Sequence, residues 1–219
     1  MCTHYHNRLN ICGFCEIMAL YILMNLTKLA NFFFELGMMK REKHQGFAIA
    51  GVHHDMGSLA DHTCRAALIG AILAEMEGAD VNKVAMMVLL HDIPETRIGD
   101  HHKVAARYLD TKKVERAIFL EQIQFLPDPL QKKWLALYDE KAKRSTKEGI
   151  VAKDADWLEL AISAREYIHI GYKDLQLWVD NVRSALETES AKKLLAEIEK
   201  QGTYDWARGL EKMTYKKLS

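Results

Sequence analysis

The chain has 219 residues, 49% of them hydrophobic, which suits one folded domain with a substantial core. Its 30 basic and 30 acidic residues balance. That balance argues against a nucleic-acid polymer or a membrane surface as a partner, since both favour basic proteins, but it is compatible with a small anionic substrate. The four cysteines do not form a disulfide framework, which indicates reduced thiols and a cytoplasmic protein.

The first 23 residues differ in character from the rest. They contain most of an apolar run from Asn10 to Leu26, which is short for a membrane span and lacks the small-residue cleavage site of a signal peptide. We predict that residues 1–23 are an extension of doubtful function. The functional chain would then start at Met24, and the folded domain would cover residues 24–219.

Helical spacing of apolar residues begins at Met24. A first helix is predicted to end near Gly37, with an apolar face formed by Leu26, Leu29, Phe33 and Leu36. Residues 41–57 contain three glycines and are predicted to form a loop. A second helix follows between Ser58 and Gly78.

Capping residues mark the starts of the second and third helices. Ser58 is a favoured N-cap, and Asp61 stands where it can complete a capping box. Asp80 can cap the third helix, which runs to the doublet His91-Asp92. Because this third helix is apolar on most of its surface, we expect it to lie centrally in the fold.

The rest of the chain also has helical periodicity. Further helices are predicted at about 103–108, 111–125, 129–143 and 146–168, with two or three more from Asp174 onward. No segment alternates in the manner of a β-strand and no internal repeat is present. The predicted fold class is therefore all-α.

Three places present metal-ligand side chains at or inside predicted core helices: Asp61-His62, His91-Asp92, and the run Lys153-Asp154-Ala155-Asp156. Burying such groups is costly unless something pairs with them, and a cation is the obvious partner. Residues two apart on a helix point roughly 200° away from each other, so at most one of Asp154 and Asp156 can face a shared site. Periodicity favours Asp156 slightly without excluding Asp154.

Two imidazoles and two carboxylates suit Mn²⁺, Fe²⁺, Co²⁺, Ni²⁺ or Zn²⁺. Such an ion keeps positions for water and a substrate oxygen, and it acidifies the water. Glu95 could orient that water or carry its proton, and Asp100 could do the same or anchor the loop. Each residue also has an ordinary interpretation, as a helix cap, a hydrogen-bonded core histidine or a solvated carboxylate. His101 and His102 could serve a second metal, although their position gives no strong reason for it.

The order of these residues resembles the H…HD…D signature of the HD-domain metal-dependent phosphohydrolases, in particular the branch of the 5′-deoxynucleotidases. The resemblance is carried by SLADHT at 58–63, by HDIPETRIGD at 91–100 and by KDAD at 153–156. It covers roughly Met24 to Val182.

The resemblance implies an all-helical HD-domain bundle, often a homodimer, that binds one divalent cation and hydrolyses phosphomonoesters, notably deoxyribonucleoside 5′-monophosphates. The metal ligands it implies are His62, His91, Asp92 and Asp156. It further implies that Glu95 is the catalytic acid or base and that Asp100 contacts substrate or water.

Two departures from the family pattern fall in the loop that faces the substrate. The family usually has Arg-x-Gly-Trp/Phe there, with the arginine near the phosphate, whereas this chain has His44 in place of the arginine and keeps the aromatic residue as Phe47. Gly57 stands where a glutamate is frequent. His44, Phe47 and Arg65 are therefore the candidate substrate-binding residues. Phe47 could equally belong to the core. Lys40, Arg41 and Arg65 are all candidates for replacing the missing positive charge, and the sequence does not choose among them.

The leading hypothesis is a cytoplasmic phosphohydrolase that acts on a nucleotide-like monoester. A cyclic-nucleotide or dinucleotide phosphodiesterase is an alternative, and that chemistry commonly uses two metals. A third hypothesis is a non-catalytic module that binds metal and nucleotide.

Overall fold

The computed structural model describes residues 24–210, so the predicted extension at 1–23 lies outside the described residues. Within them the chain forms nine α-helices: α1 (Leu26–Leu36), α2 (Leu59–Glu77), α3 (Val81–His91), α4 (Glu95–Ile98), α5 (Thr111–Ile123), α6 (Asp128–Lys143), α7 (Lys147–His169), α8 (Gln176–Ala185) and α9 (Glu189–Lys200). Short 3₁₀ turns join several of them. One isolated antiparallel bridge, between Lys43 and Ser58, is the sole β pairing in residues 24–210, which confirms the all-α prediction.

Helix starts coincide with side chains that satisfy free backbone N–H groups. The Ser58 hydroxyl accepts from the Asp61 amide, and the Asp61 carboxylate accepts from the Ser58 amide, so the predicted capping box is present. Asp80 caps α3 as predicted. The same role is played by Asn25, Asp110, Thr146 and Thr188 for α1, α5, α7 and α9.

Helices α2, α3 and α7 form the centre of the bundle. Gly70 of α2 lies where all three meet. A Cβ added to Gly70 would lie 3.1 Å from Val84 Cγ1 on α3 and 3.3 Å from Ala155 Cβ on α7. The missing side chain therefore allows the three helices to pack closely.

The predicted apolar face of α1 is wrong in detail. In α1 the buried aromatic residue is Phe32, which packs against Phe125 and Trp134, whereas Leu26 and Phe33 are exposed. The orientation of α1 is set by this lateral contact, which the periodicity of α1 alone does not define.

The predicted helix at 103–108 is reduced to a 3₁₀ turn at Ala105–Arg107. Val104, Tyr108 and Leu109 are exposed there, so no apolar face packs on the core to sustain a longer helix. The later helices agree with prediction to within a few residues. No helix in residues 24–210 combines the length and apolar character needed to cross a bilayer.

Candidate metal centre

Three central helices deliver the candidate ligands to one place. His62 lies in the first turn of α2, directly after the capping box. His91 is the last residue of α3, and Asp92 is its C-cap. Asp156 comes from the middle of α7. All four side chains are at least four-fifths buried.

The ligand atoms of these residues lie close together. His62 Nε2 is 3.6 Å from Asp92 Oδ2 and 3.4 Å from Asp156 Oδ1. His91 Nε2 is 2.8 Å from Asp92 Oδ1 and 3.7 Å from Asp156 Oδ2. Ligands bonded to one small divalent cation at about 2.0–2.2 Å are separated from each other by roughly 3–3.5 Å. The spacing and the mixed nitrogen and oxygen chemistry therefore fit such a cation.

Both histidines are oriented through their second nitrogen. His62 Nδ1 is hydrogen-bonded to Glu159 Oε2, and His91 Nδ1 lies 2.5 Å from the Val88 carbonyl oxygen. With the proton on Nδ1 in each case, Nε2 is left to bind a cation.

Glu159 is itself fixed from its other side. It is 2% exposed, and its Oε1 accepts from Arg65 Nη2 at 2.7 Å and from the Ser163 hydroxyl at 2.8 Å. Arg65 also binds Glu166. The guanidinium of Arg65 is thus paired with two carboxylates, and its predicted contact with substrate stays a prediction. Glu159 was missed as a partner of His62, although it lies one turn after Asp156 on the same face of α7.

The two aspartates of the KDAD run point to different surroundings. Asp154 is fully buried and accepts hydrogen bonds from the backbone amides of Glu187 and Thr188 and from the Thr188 hydroxyl. It therefore stabilises the start of α9. Asp156 is the one that the structure places beside the histidines.

Two lysines contact the Asp156 carboxylate. Lys141 Nζ and Lys153 Nζ each lie 2.8 Å from Asp156 Oδ2. Lys141 was missed in the sequence analysis. A signal for it exists, because Lys141 follows the buried residues Leu137 and Tyr138 of α6 by one turn and thus shares their inward face.

Glu95 occupies an acidic, poorly hydrated position at the start of α4. Burial raises the pKa of Glu95 to about 11, with added contributions from the negative charges of Asp92, Asp100 and Glu115. Among the described residues, neither Glu95 Oε2 nor Asp100 Oδ2 has a hydrogen-bond partner, and both atoms are buried. The pKa of Glu115 is raised in the same way by burial and by Asp92. A carboxyl group that can hold a proton thus lies next to the candidate ligands.

The charged groups around His62 act on its proton affinity. Burial lowers the pKa of His62, but hydrogen bonds to Asp156 and Glu159 outweigh it and raise the pKa to about 10. The pKa of Asp92 is lowered below its usual range: burial opposes the shift, and the neighbouring histidines outweigh burial. A proton and a cation therefore compete for His62 Nε2.

The loop before α2 brings two predicted substrate residues to the centre. The His44 amide donates to the Gly57 carbonyl at 3.0 Å, and its ring centroid lies 4.6 Å from that of His62. His44 Nε2 is 3.9 Å from Asp100 Oδ2. Burial and the neighbouring His62 lower the pKa of His44, so it is a neutral side chain at neutral pH rather than a replacement for the arginine charge.

Phe47 and the remaining histidines contribute less to the centre. Phe47 is 2% exposed and packs against Tyr167, which favours the core interpretation over stacking on a substrate. His102 Nδ1 accepts from the Ala105 amide. Within residues 24–210, neither His101 nor His102 joins a group of three potential metal ligands.

Two groups of three residues have the mutual spacing of a metal site among the described residues: His62, His91 and Asp92, to which Asp156 lies adjacent, and His44, His62 and Glu159. We favour the four-residue set, because the Glu159 oxygens are already engaged by His62 and Arg65.

The chain is an all-helical bundle whose central helices gather two histidines and two aspartates into a candidate site for a divalent cation. The chain belongs to the HD domain family, whose sequence profile matches residues 36–199.

Relatives were found both by sequence and by structure. The 5′-deoxynucleotidase HDDC2 of Dictyostelium discoideum is 26% identical over 189 residues, covering 80% of this chain and 98% of the relative. Human 5′-deoxynucleotidase HDDC2 is 25% identical over 167 residues, which cover 75% of this chain and 81% of the human protein.

A conserved hypothetical protein from Pyrococcus furiosus superimposes with a TM-score of 0.66 at 28% identity, covering 78% of this chain and 99% of that one. A predicted metal-dependent phosphohydrolase from Magnetospirillum magnetotacticum has a TM-score of 0.64 at 22% identity, and the match covers 80% of this chain and 91% of that one. At this identity the comparison shows a similar fold.

Proposed function

We propose that this chain is a metal-dependent phosphohydrolase that releases phosphate from a small phosphomonoester, most specifically a (deoxy)nucleoside 5′-monophosphate. The observation that carries the proposal is the meeting of His62, His91, Asp92 and Asp156 beside the buried carboxyl group of Glu95. Family membership supports the reaction class, and the names of the HDDC2 relatives support the substrate class.

In the proposed mechanism, His62, His91, Asp92 and Asp156 hold one divalent cation, of which Mn²⁺, Co²⁺, Fe²⁺, Ni²⁺ and Zn²⁺ suit the ligands. Such a cation supplies an acidified water and offsets charge on the phosphoryl oxygens. Its ligands hold their orientation through Glu159 and Val88.

Glu95 is the proposed proton carrier. Its Oε2 is buried and lacks a hydrogen-bond partner among the described residues, and its raised pKa keeps a proton on the carboxyl group. Glu95 would give that proton to the leaving oxygen and then, as a carboxylate, take the proton released by the attacking water. Asp100, whose Oδ2 is likewise unpartnered there, is proposed to contact the substrate or that water. His44 lies next to Asp100 and would meet the substrate as a neutral imidazole.

The direct test is a phosphate-release screen of ribo- and deoxyribonucleoside 5′-monophosphates with Mn²⁺, Co²⁺, Ni²⁺, Zn²⁺ and Mg²⁺. We expect turnover of at least one nucleotide, and at least a hundredfold loss in Asp92→Ala. Asp139→Ala is a matched control because Asp139 pairs with Arg116 on the surface, and we expect it to change activity less than twofold.

The alternatives give different results in the same screen. Hydrolysis of cyclic nucleotides or dinucleotides with two metal ions per chain would favour the phosphodiesterase hypothesis. Tight nucleotide binding without turnover would favour the non-catalytic module. A metal-loaded chain that turns over no phosphomonoester refutes the proposal.

Two further predictions concern the whole chain. We propose that residues 24–219 fold and act without residues 1–23, which a deletion with matched activity and melting measurements will test. The predicted homodimer and cytoplasmic location also stay predictions, and light scattering together with cell fractionation will check them.

A further inference from the structure

The two oxygens of Asp156 have different surroundings. Oδ1 lies 3.4 Å from His62 Nε2, whereas Oδ2 lies 3.7 Å from His91 Nε2 and accepts from two ammonium groups at 2.8 Å each. One ammonium belongs to Lys141 of α6 and the other to Lys153 of α7. The Lys141 side chain is 7% exposed, and Lys153 lies 5.0 Å from the ring centroid of Trp157.

We propose that Lys141 is a positioning residue that, together with Lys153, keeps Asp156 Oδ2 away from the cation and tunes the site towards phosphate. Asp156 then offers a single oxygen to the cation. The buried positive charge weakens cation binding and strengthens the binding of a phosphate dianion. This inference rests on the proposed metal site and phosphate substrate.

The burial of Lys141 favours a functional explanation. A buried ion pair contributes little net stability, because both charges lose their water, and an apolar side chain of similar length fills such a position at lower cost. Methionine would satisfy the packing needs of α6 at this position. This cost favours a role for the Lys141 charge beyond the stability of the fold.

The other charges around the site indicate the role of the Lys141 charge. The carboxylates of Asp92, Asp156 and Glu159 all lie within 3.6 Å of His62 nitrogens, and such an acidic centre attracts a cation but repels a phosphate dianion. Arg65 does not supply free positive charge, because it is bound to two carboxylates. Lys141 and Lys153 offset part of the negative charge.

The test compares Lys141→Met with wild type in two binding measurements by calorimetry: Mn²⁺ to the metal-free protein, and inorganic phosphate to the Mn²⁺-loaded protein. We expect Mn²⁺ to bind at least tenfold more tightly to K141M and phosphate at least tenfold more weakly. Lys153→Met should shift both values in the same directions by a smaller factor, since Lys153 is more exposed.

Lys83→Met is the control for removal of one positive charge, because Lys83 pairs with Glu140 and Glu148 away from the candidate ligands. We expect it to leave both affinities within twofold of wild type. Lys141→Arg should restore wild-type Mn²⁺ affinity, which a role confined to packing would not predict.

The outcomes separate this inference from the proposed function. A folded K141M that binds Mn²⁺ as wild type does, or more weakly, overturns the inference alone. If K141M does not fold, K153M decides, and unchanged affinities there overturn it. A wild-type chain that binds no divalent cation overturns the proposed metal site and the inference with it.

Discussion

Replacing Glu159 with glutamine tests whether His62 is oriented for a cation by its second nitrogen. Glu159 accepts from His62 through Oε2 and from Arg65 and Ser163 through Oε1. A glutamine has one acceptor oxygen, so its NH₂ group must face either the His62 Nδ1–H or the guanidinium. Both orientations place donor against donor. This conflict between donors is relieved when the His62 proton moves from Nδ1 to Nε2, and a protonated Nε2 cannot bind a metal.

The expected loss follows from the burial of this pair. Removing an outer partner of a metal-binding histidine weakens metal affinity by roughly 10–100-fold, or about 1.4–2.7 kcal/mol. Because Glu159 is 2% exposed, water cannot replace the lost acceptor. We therefore expect E159Q to fall in the upper half of that range.

The assay is calorimetric titration of Mn²⁺ into metal-free protein at constant pH. Glu166→Gln is the matched control, since Glu166 also pairs with Arg65 but is 49% exposed and does not touch His62. We expect E166Q to stay within twofold of wild type. An E159Q protein that binds Mn²⁺ within threefold of wild type would refute the role given to Glu159.

Three further predictions concern protons and the second aspartate. The native pKa of Glu95 is raised from 4.5 to about 11, so the native state keeps a proton that the unfolded chain releases, and stability falls as pH rises across that window. Glu95→Gln removes this dependence. In the metal-free state, the urea midpoint of the variant minus that of wild type should therefore increase from pH 6 to pH 9. A difference that stays constant over this range would contradict the raised pKa. The pKa of His62 is raised to about 10, so a cation must displace a proton. Mn²⁺ affinity should rise about tenfold per pH unit between pH 6 and 8, and titrations in buffers of different ionisation enthalpy should show proton release; affinity independent of pH would count against it. Asp154→Ala should lower the free energy of unfolding by about 2 kcal/mol, because it leaves the partly buried amide donors of Glu187 and Thr188 without their acceptor, yet keep Mn²⁺ affinity within threefold; a large loss of affinity would show that Asp154 contributes to the metal site.

Much of the helical framework could be predicted from local sequence. Ser58 and Asp80 mark helix starts because capping depends on atoms within three residues. The candidate ligand types were recognisable because His62 and His91-Asp92 interrupt apolar helices. These signals involve short separations along the chain, and they do not depend on tertiary packing.

Other features depend on contacts between distant segments. Periodicity could not decide between Asp154 and Asp156, since the outcome depends on the amides of α9 that Asp154 accepts from. Phe32 is buried in place of Phe33 because Trp134 lies beside α1. Lys141 reaches Asp156 only through the packing of α6 near α7. Each of these requires knowledge of which helices are neighbours.

The glycine at position 70 has a consequence for how this protein can change. The helices that supply the four candidate ligands meet at Gly70, at a spacing that a single methyl group would disturb. The stretch containing His44 and Phe47 belongs to none of these three helices. Residues 41–57 carry the proposed substrate contact His44, so a change of substrate preference through this stretch would leave the spacing of the three ligand-bearing helices intact.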